Sequence, residues 1–390
     1  MSSAARGLGA RLSVLHAAAF IGIGFYMPFF PVWLQSKAFD SATIGLLMAI
    51  PIVVRILATA PLLALADRAL GPRRLLLASH VGQIVGYPLA VLTTDPLLIG
   101  ALMALLALAH AAVIPANDLV TTQAVRRHEG LHYGRIRVWG SVAFLAASVA
   151  AGYLVDFAGP DVVIWALVTS ACLAVLATLA AVENRNPAAA PKEGPAEGSS
   201  RGLPRVLWVV MIGAAFIQGS HGAIYTFGSI HWRSIGYTDS IIGYLWAVGV
   251  VAEILVFYFL GTKVGRGSAG FGLLLVGAVS VVMRFGILAF DPGLGPTFAL
   301  QALHGLTFGA AHLGAMAALA ALAPDEARGR AQGMLGSVMA LAMATTTVLS
   351  GFLYRAFGPG AFLAMAPLGA IGLVLILVAM RMGRTSPPSP

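Results

Sequence analysis

Residues 39–49 read FDSATIGLLMA, and residues 237–247 read YTDSIIGYLWA. The two stretches share an Ile-Gly pair, a leucine and an alanine in one register. The same register sets Arg55 opposite Glu253 and Ile56-Leu57 opposite Ile254-Leu255. Further on, GYLVDFAGP (152–160) matches GFLYRAFGP (351–359), and Gly140-Ser141 matches Gly336-Ser337. Apolar helices resemble one another by chance, so no one match decides. Several in the same order, at equivalent places, mark an internal duplication.

Between the copies lies ENRNPAAAPKEGPAEGSSRGLP (183–204), rich in Pro, Gly, Ser and charge, which reads as a flexible linker. Either side of it, apolar runs recur, each long enough to cross a bilayer. Twelve are expected, at about 12–35, 42–65, 74–93, 97–122, 135–156, 162–181, 205–231, 241–261, 269–290, 297–322, 331–354 and 361–381. The chain is therefore expected to be an all-α membrane protein with twelve transmembrane helices. They divide into two pseudo-symmetric six-helix bundles, 1–182 and 205–390. Helices are required because only a helix satisfies its own backbone in lipid, and period-2 strand patterns are absent. Parallel halves of this kind imply a site where they meet.

Composition agrees. Hydrophobic residues make up 59% of the chain and charged residues 10%, against about 25% charged in a soluble domain. The net charge of +9 points to topology and not to nucleic acid. With the N-terminus inside, 18 Lys and Arg residues fall in cytoplasmic segments and Lys37, Arg233 and Arg355 in outer ones. That is a strong positive-inside bias, placing both termini in the cytoplasm of a cell (inner) membrane protein. Arg6 and Arg11 precede the first apolar run as in a signal peptide, but the run continues through Pro28 to Trp33 without a small-residue cleavage site. It reads as a retained helix. The one cysteine, Cys172, allows no internal disulfide.

Five ionisable groups sit within the apolar runs: Arg55, Asp118, Arg137, Glu253 and Arg284. Each costs about 2.5–3.5 kcal/mol at a helix centre unless it pairs or meets water. Such groups mark ion or substrate paths. Three arginines against two acids leave a surplus cation, which favours a carboxylate substrate held in a bidentate fork. Alternatively, Arg55 faces cavity water or a kink, and Asp118–Arg137 is a structural bridge. Glu253 is expected to carry a proton, with a permanent ion pair to Arg284 or Arg55 as the alternative. His110 reads as packing. His304 and His312, eight residues apart, share roughly one helix face and suit a cavity or relay role. No cluster has metal-ligand spacing. Tyr26, Phe29, Phe30 and Trp33 around Pro28 and Pro31 suggest a kinked aromatic first helix. Its counterpart carries Gln218, His221, Tyr225 and Phe227. These suit a ring-bearing solute, or the interfacial belt for Trp33 and Trp232. Asn117 reads either as a substrate contact or as the cap of a break after Pro115.

LADRALGPRR (65–74) resembles the loop signature of the major facilitator superfamily, with one extra residue and no leading glycine. There Asp67, Arg68, Arg73 and Arg74 would form a gating loop; the second copy, residues 261–266, lacks the acid. YGRIRVWGS (133–141) resembles the fifth-span entry of the lactose permease and phenylpropionate permease families. The first helix, FYMPFFPVWLQ (25–35), is more similar to the phenylpropionate branch. The resemblance implies that Arg137 engages substrate with Asp118 as partner, and that Glu253 couples protons. It gives Arg284 and His304 proton-handling roles and sets Phe144 where a sugar-stacking aromatic would lie. Thr307 stands where the permease pattern has an acid.

The expected function is alternating-access transport, proton-coupled symport of a small organic solute, with an aromatic or other carboxylic acid first. The expected partners are that solute, protons and the bilayer, with no cofactor and a monomeric state. Alternatives are sugar or nucleoside symport, drug–proton antiport, a membrane sensor or an integral enzyme. No nucleophile–base set supports an enzyme.

Overall fold

The computed structural model describes residues 3–183, 202–261 and 269–385. All regular structure among them is helical. Most of the linker 183–204, and the second-copy loop at 262–266, lie outside the described residues.

Eleven helical stretches are long and apolar enough to cross a membrane. The difference from the expected twelve lies in one stretch, Ser41–Val91, of 51 residues. At 1.5 Å per residue it is roughly 75 Å long, far more than one crossing of about 30 Å. It holds two spans, Ser41–Leu65 and Gly71–Val91, joined by a π-helical turn at Ala66–Leu70. Gly71 leaves that turn at φ 74, a value that glycine adopts without strain. Both spans pack on the fourth. The expected loop carrying Asp67 and Arg68 is thus a widened helical turn.

The described residues form two compact units. The first holds spans one to six together with Trp232–Ala247. Span one (Ser3–Ser36) packs on span five (Tyr133–Ala158) and span six (Val162–Ala181), and span six also packs on span three. Leu12 and Leu15 meet Leu76, Val113 and a run of alanines from spans four and six in the core. Small residues allow such approach where no hydrophobic force drives helices together in lipid. At Gly24 a Cβ would lie 2.7 Å from the Ala147 methyl, so span one touches span five through bare backbone. Also within this unit, Asp156 accepts from the backbone N–H groups of Asp239 and Ser240, both at 2.8 Å. It thereby caps the helix Asp239–Leu260, span eight. Trp33 and Trp232 are both buried within the protein. The Trp33 indole donates to Asp161 at 2.9 Å.

The second unit holds the remainder. Span seven (Arg205–Gly219 and Gly222–Ser234) packs on span eleven (Arg328–Phe357) and span twelve (Ala366–Thr385). Span nine (Ala269–Leu288) packs on spans ten and twelve. Span ten runs as Leu294–Ala302, a π-helical Gly305–Ala310 and Ala311–Leu322.

At the breaks in spans four and seven, side chains take up backbone carbonyls. Span four is interrupted between His110 and Val113. Pro115 has no N–H to give the Ala111 carbonyl, and Thr59 Oγ1 donates to that oxygen instead, at 3.3 Å. The break therefore precedes Pro115 and does not follow it. In span seven the break falls at Ser220-His221. There the Gly219 carbonyl accepts from Thr346 Oγ1 at 2.6 Å, and the Gln218 carbonyl accepts from both the backbone N–H and the ring of His221, at 3.2 and 3.0 Å.

Candidate substrate and proton site

In the second unit, Arg284 of span nine is 1% exposed. Its Nη2 donates to Gln301 Oε1 at 2.6 Å. Its Nη1 donates to Thr307 Oγ1 at 3.1 Å and to His304 Nδ1 at 3.4 Å. A guanidinium only donates, so Nδ1 of His304 accepts, and the neutral ring carries its proton on Nε2. That nitrogen faces Glu253 Oε2 at 3.6 Å. From Thr307 the chain continues to His221 Nε2, 3.0 Å away. The other His221 nitrogen meets the Gln218 carbonyl, which fixes it as the donor. Directions therefore run consistently from Arg284 through Thr307 and His221 to the backbone at the span-seven break.

Around this line the rings are close. His304 lies against Phe308, which lies parallel to His312, at 5.3 and 6.2 Å between centroids. These two histidines do share one face, as expected. Tyr225 sits 5.4 Å from His221 and 6.1 Å from His304. The Gln218 amide donates to the Phe308 carbonyl at 3.2 Å, pinning span seven to the π-helical turn of span ten. The structure thus gathers Gln218, His221, Tyr225, Glu253, Arg284 and His304, with His312 one ring further.

The first unit holds a separate cluster. Arg137 Nε lies 3.9 Å from Asp118 Oδ1, and the Tyr133 hydroxyl donates to the same oxygen at 2.8 Å. The Arg137 guanidinium stacks over Phe20 at 4.1 Å. His16 and Thr121 are both fully buried and hydrogen-bonded at 2.9 Å. Asn117 is fully buried beside Asp118 in sequence, with neither amide atom bonded within the protein. Tyr26 is half-buried and stacked on Phe30 at 4.5 Å. Phe29 and Phe144 are buried in packing.

Arg55 needs correction. It is exposed, not buried, and no carboxylate lies within ion-pair reach among the described residues. Arg137 is part-exposed, at 28% of its side chain. Among the described residues, Arg284 alone is a deeply buried cation. Asp67, Arg68 and Arg74 are exposed on the connection between spans two and three, with Arg73 half-buried. No group of His, Cys, Asp and Glu among the described residues has metal-binding geometry.

Sequence reading missed Gln301, Phe20 and His16. Gln301, His304 and Thr307 recur every third residue, a spacing that places them on one side of span ten and offered the only signal for Gln301.

The model of the MFS_1-like family matches residues 10–364. The chain belongs to the major facilitator superfamily. It is 33% identical over 353 residues to "Probable 3-phenylpropionic acid transporter" of Escherichia coli K12, covering 89% of this chain and 91% of that one. It is 27% identical over 375 residues to the maltose permease of Geobacillus stearothermophilus, covering 94% and 93%. Among solved structures, the nucleoside transporter NupG superposes with a TM-score of 0.79 over 97% of this chain and 100% of that one, at 16% identity. A bacterial homologue of the lysosomal transporter Spinster does so at 0.71, covering 100% of both chains at 14% identity. This chain is accordingly a multi-pass membrane transporter and not an enzyme.

Proposed function

We propose that this transporter is a proton-coupled symporter of a small organic acid, with aromatic monocarboxylates first, working by alternating access between halves 1–182 and 205–390. One observation carries the reading. Arg284 is a deeply buried cation whose hydrogen bonds all go to neutral acceptors, and His304 lies between it and Glu253. A substrate carboxylate supplies the missing charge. Glu253 takes the coupled proton, and the His304 ring passes the change in charge on to Arg284. Asp118–Arg137 is the corresponding pair in the first unit, and Arg55, Tyr26 and Asn117 contribute to the solute path. The relative with 33% identity, whose name includes 3-phenylpropionic acid, supports a ring-bearing acid. The positive-inside charge bias supports an inner-membrane orientation with cytoplasmic termini.

A neutral solute is the second reading, favoured by the similarity to a maltose permease over nearly the whole chain. Uptake into proteoliposomes separates the two. With an inside-alkaline gradient, labelled 3-phenylpropionate accumulates and labelled maltose and uridine do not. Accumulation of the neutral solutes alone, or acid uptake that ignores the gradient, overturns the proposal.

A further inference from the structure

We propose that Gln301 determines the charge selectivity of the site, by holding Arg284 with a neutral oxygen where a substrate carboxylate is to bind. The inference rests on the reading of Arg284 as the anion-binding group and adds the residue that keeps it available.

A guanidinium offers a carboxylate two parallel N–H groups along one edge. On Arg284 the edge facing Gln301 consists of Nε and Nη2. Nη2 is held by Gln301 Oε1 at 2.6 Å. Nε is buried and has no acceptor in the protein. Half of a carboxylate fork is therefore filled by an amide oxygen, and the other half points at nothing that accepts. Leaving a buried charged donor unmet costs at least about 1–3 kcal/mol. A monocarboxylate satisfies both positions at once, one oxygen on Nε and the other on Nη2, taking over from or sharing with Gln301.

The surroundings make the neutrality of this residue consequential. Thr307 and His304 hold the remaining edge through Nη1, and both are uncharged acceptors in this arrangement. Among the described residues no carboxylate is within ion-pair reach of the guanidinium; Glu253 lies beyond the imidazole. The charge thus stays uncompensated while its hydrogen bonding is nearly complete. A glutamate at 301 would close the fork internally and remove the attraction for an incoming anion.

The test compares 3-phenylpropionate with its isosteric amide, 3-phenylpropionamide, on the purified full-length protein. Binding is measured by calorimetry or ligand-induced thermal shift. Wild type favours the acid. Gln301→Glu lowers the acid-to-amide selectivity at least tenfold. Thr307→Glu, which brings a carboxylate to the other edge of the same guanidinium, does the same and covers the case in which the first variant fails to fold. Selectivity unchanged in either folded variant, or acid and amide weakened alike, overturns the role of Gln301 and leaves acid transport standing. Wild type that binds the amide as well as the acid, or neither, overturns the anion reading itself and this inference with it.

Discussion

Replacing Glu253 by glutamine keeps the size and hydrogen-bonding reach of the side chain and removes its ability to carry a proton. The consequence has a definite size. Asp118 is ion-paired with Arg137 and hydrogen-bonded by Tyr133, whereas Glu253 faces an imidazole at 3.6 Å. One exchangeable proton per cycle is therefore expected, moving with one monocarboxylate. That combination carries no net charge. A gradient of one pH unit is worth about 1.4 kcal/mol per proton, so it supports accumulation of about tenfold and no more. A membrane potential adds nothing, because no charge moves. In proteoliposomes loaded at a pH one unit above the bath, wild type should approach the tenfold limit, with or without a potassium diffusion potential. Glu253→Gln should equilibrate label to a ratio near one while still exchanging internal for external solute. Two results refute the reasoning. One is a variant that still accumulates solute. The other is wild-type accumulation that rises with potential, which would require a second proton.

Two further outcomes test the scaffold. Asp156→Ala removes the cap on span eight, two backbone N–H bonds at 2.8 Å. It should cost about 0.5–2 kcal/mol, with Asp156→Asn losing less; unchanged thermal unfolding in detergent would show the cap to be inert. Asp161, in the connection before span six, has its carboxyl held below the usual carboxylate range by hydrogen bonds from Lys37 and then Trp33, against opposing burial. A depressed folded value stabilises fully above the unfolded pKa of about 3.9. That contribution is lost as pH falls through the folded value. Asp161→Asn should therefore melt below wild type at pH 7, and the gap should close on acidification below pH 4. A gap that persists there refutes the assignment.

What could be read from the chain, and what could not, follows from how each residue signals itself. Charges in apolar runs are conspicuous because lipid makes them costly, so Glu253 and Arg284 stood out along with His304. The direction in which a charge points is another matter. An amphipathic helix betrays its inner face by the contrast of apolar and polar sides. Span two is apolar all round, so nothing in its sequence distinguishes the face bearing Arg55, and that residue proved exposed. Gln301 and Thr307 carry no charge and pass as ordinary interruptions of an apolar run, though they supply two of the acceptors that hold Arg284. The π-helical turns at Ala66–Leu70 and Gly305–Ala310 have no residue signature beyond glycine at one edge. Pro115 did announce a break, but its missing N–H acts four residues back, at Ala111.

The same backbone economy links the breaks to the candidate site. In hydrocarbon, a carbonyl freed by an interrupted helix must find a donor within the protein. At Ala111 and at Gly219 the donor is a threonine hydroxyl from a neighbouring span, Thr59 and Thr346. Each hydroxyl has one proton, which it shares between that oxygen and a carbonyl of its own helix, Arg55 for Thr59 and Ala342 for Thr346. Each break is thus tolerated without a charge. The Gln218 carbonyl, already held by the His221 backbone N–H, also accepts from the His221 ring, the end of the line that starts at Arg284. The Arg284 guanidinium is therefore linked to the backbone of span seven through three hydrogen bonds. The Ser220-His221 break is thus where the line from Arg284 meets the helix framework of the second unit.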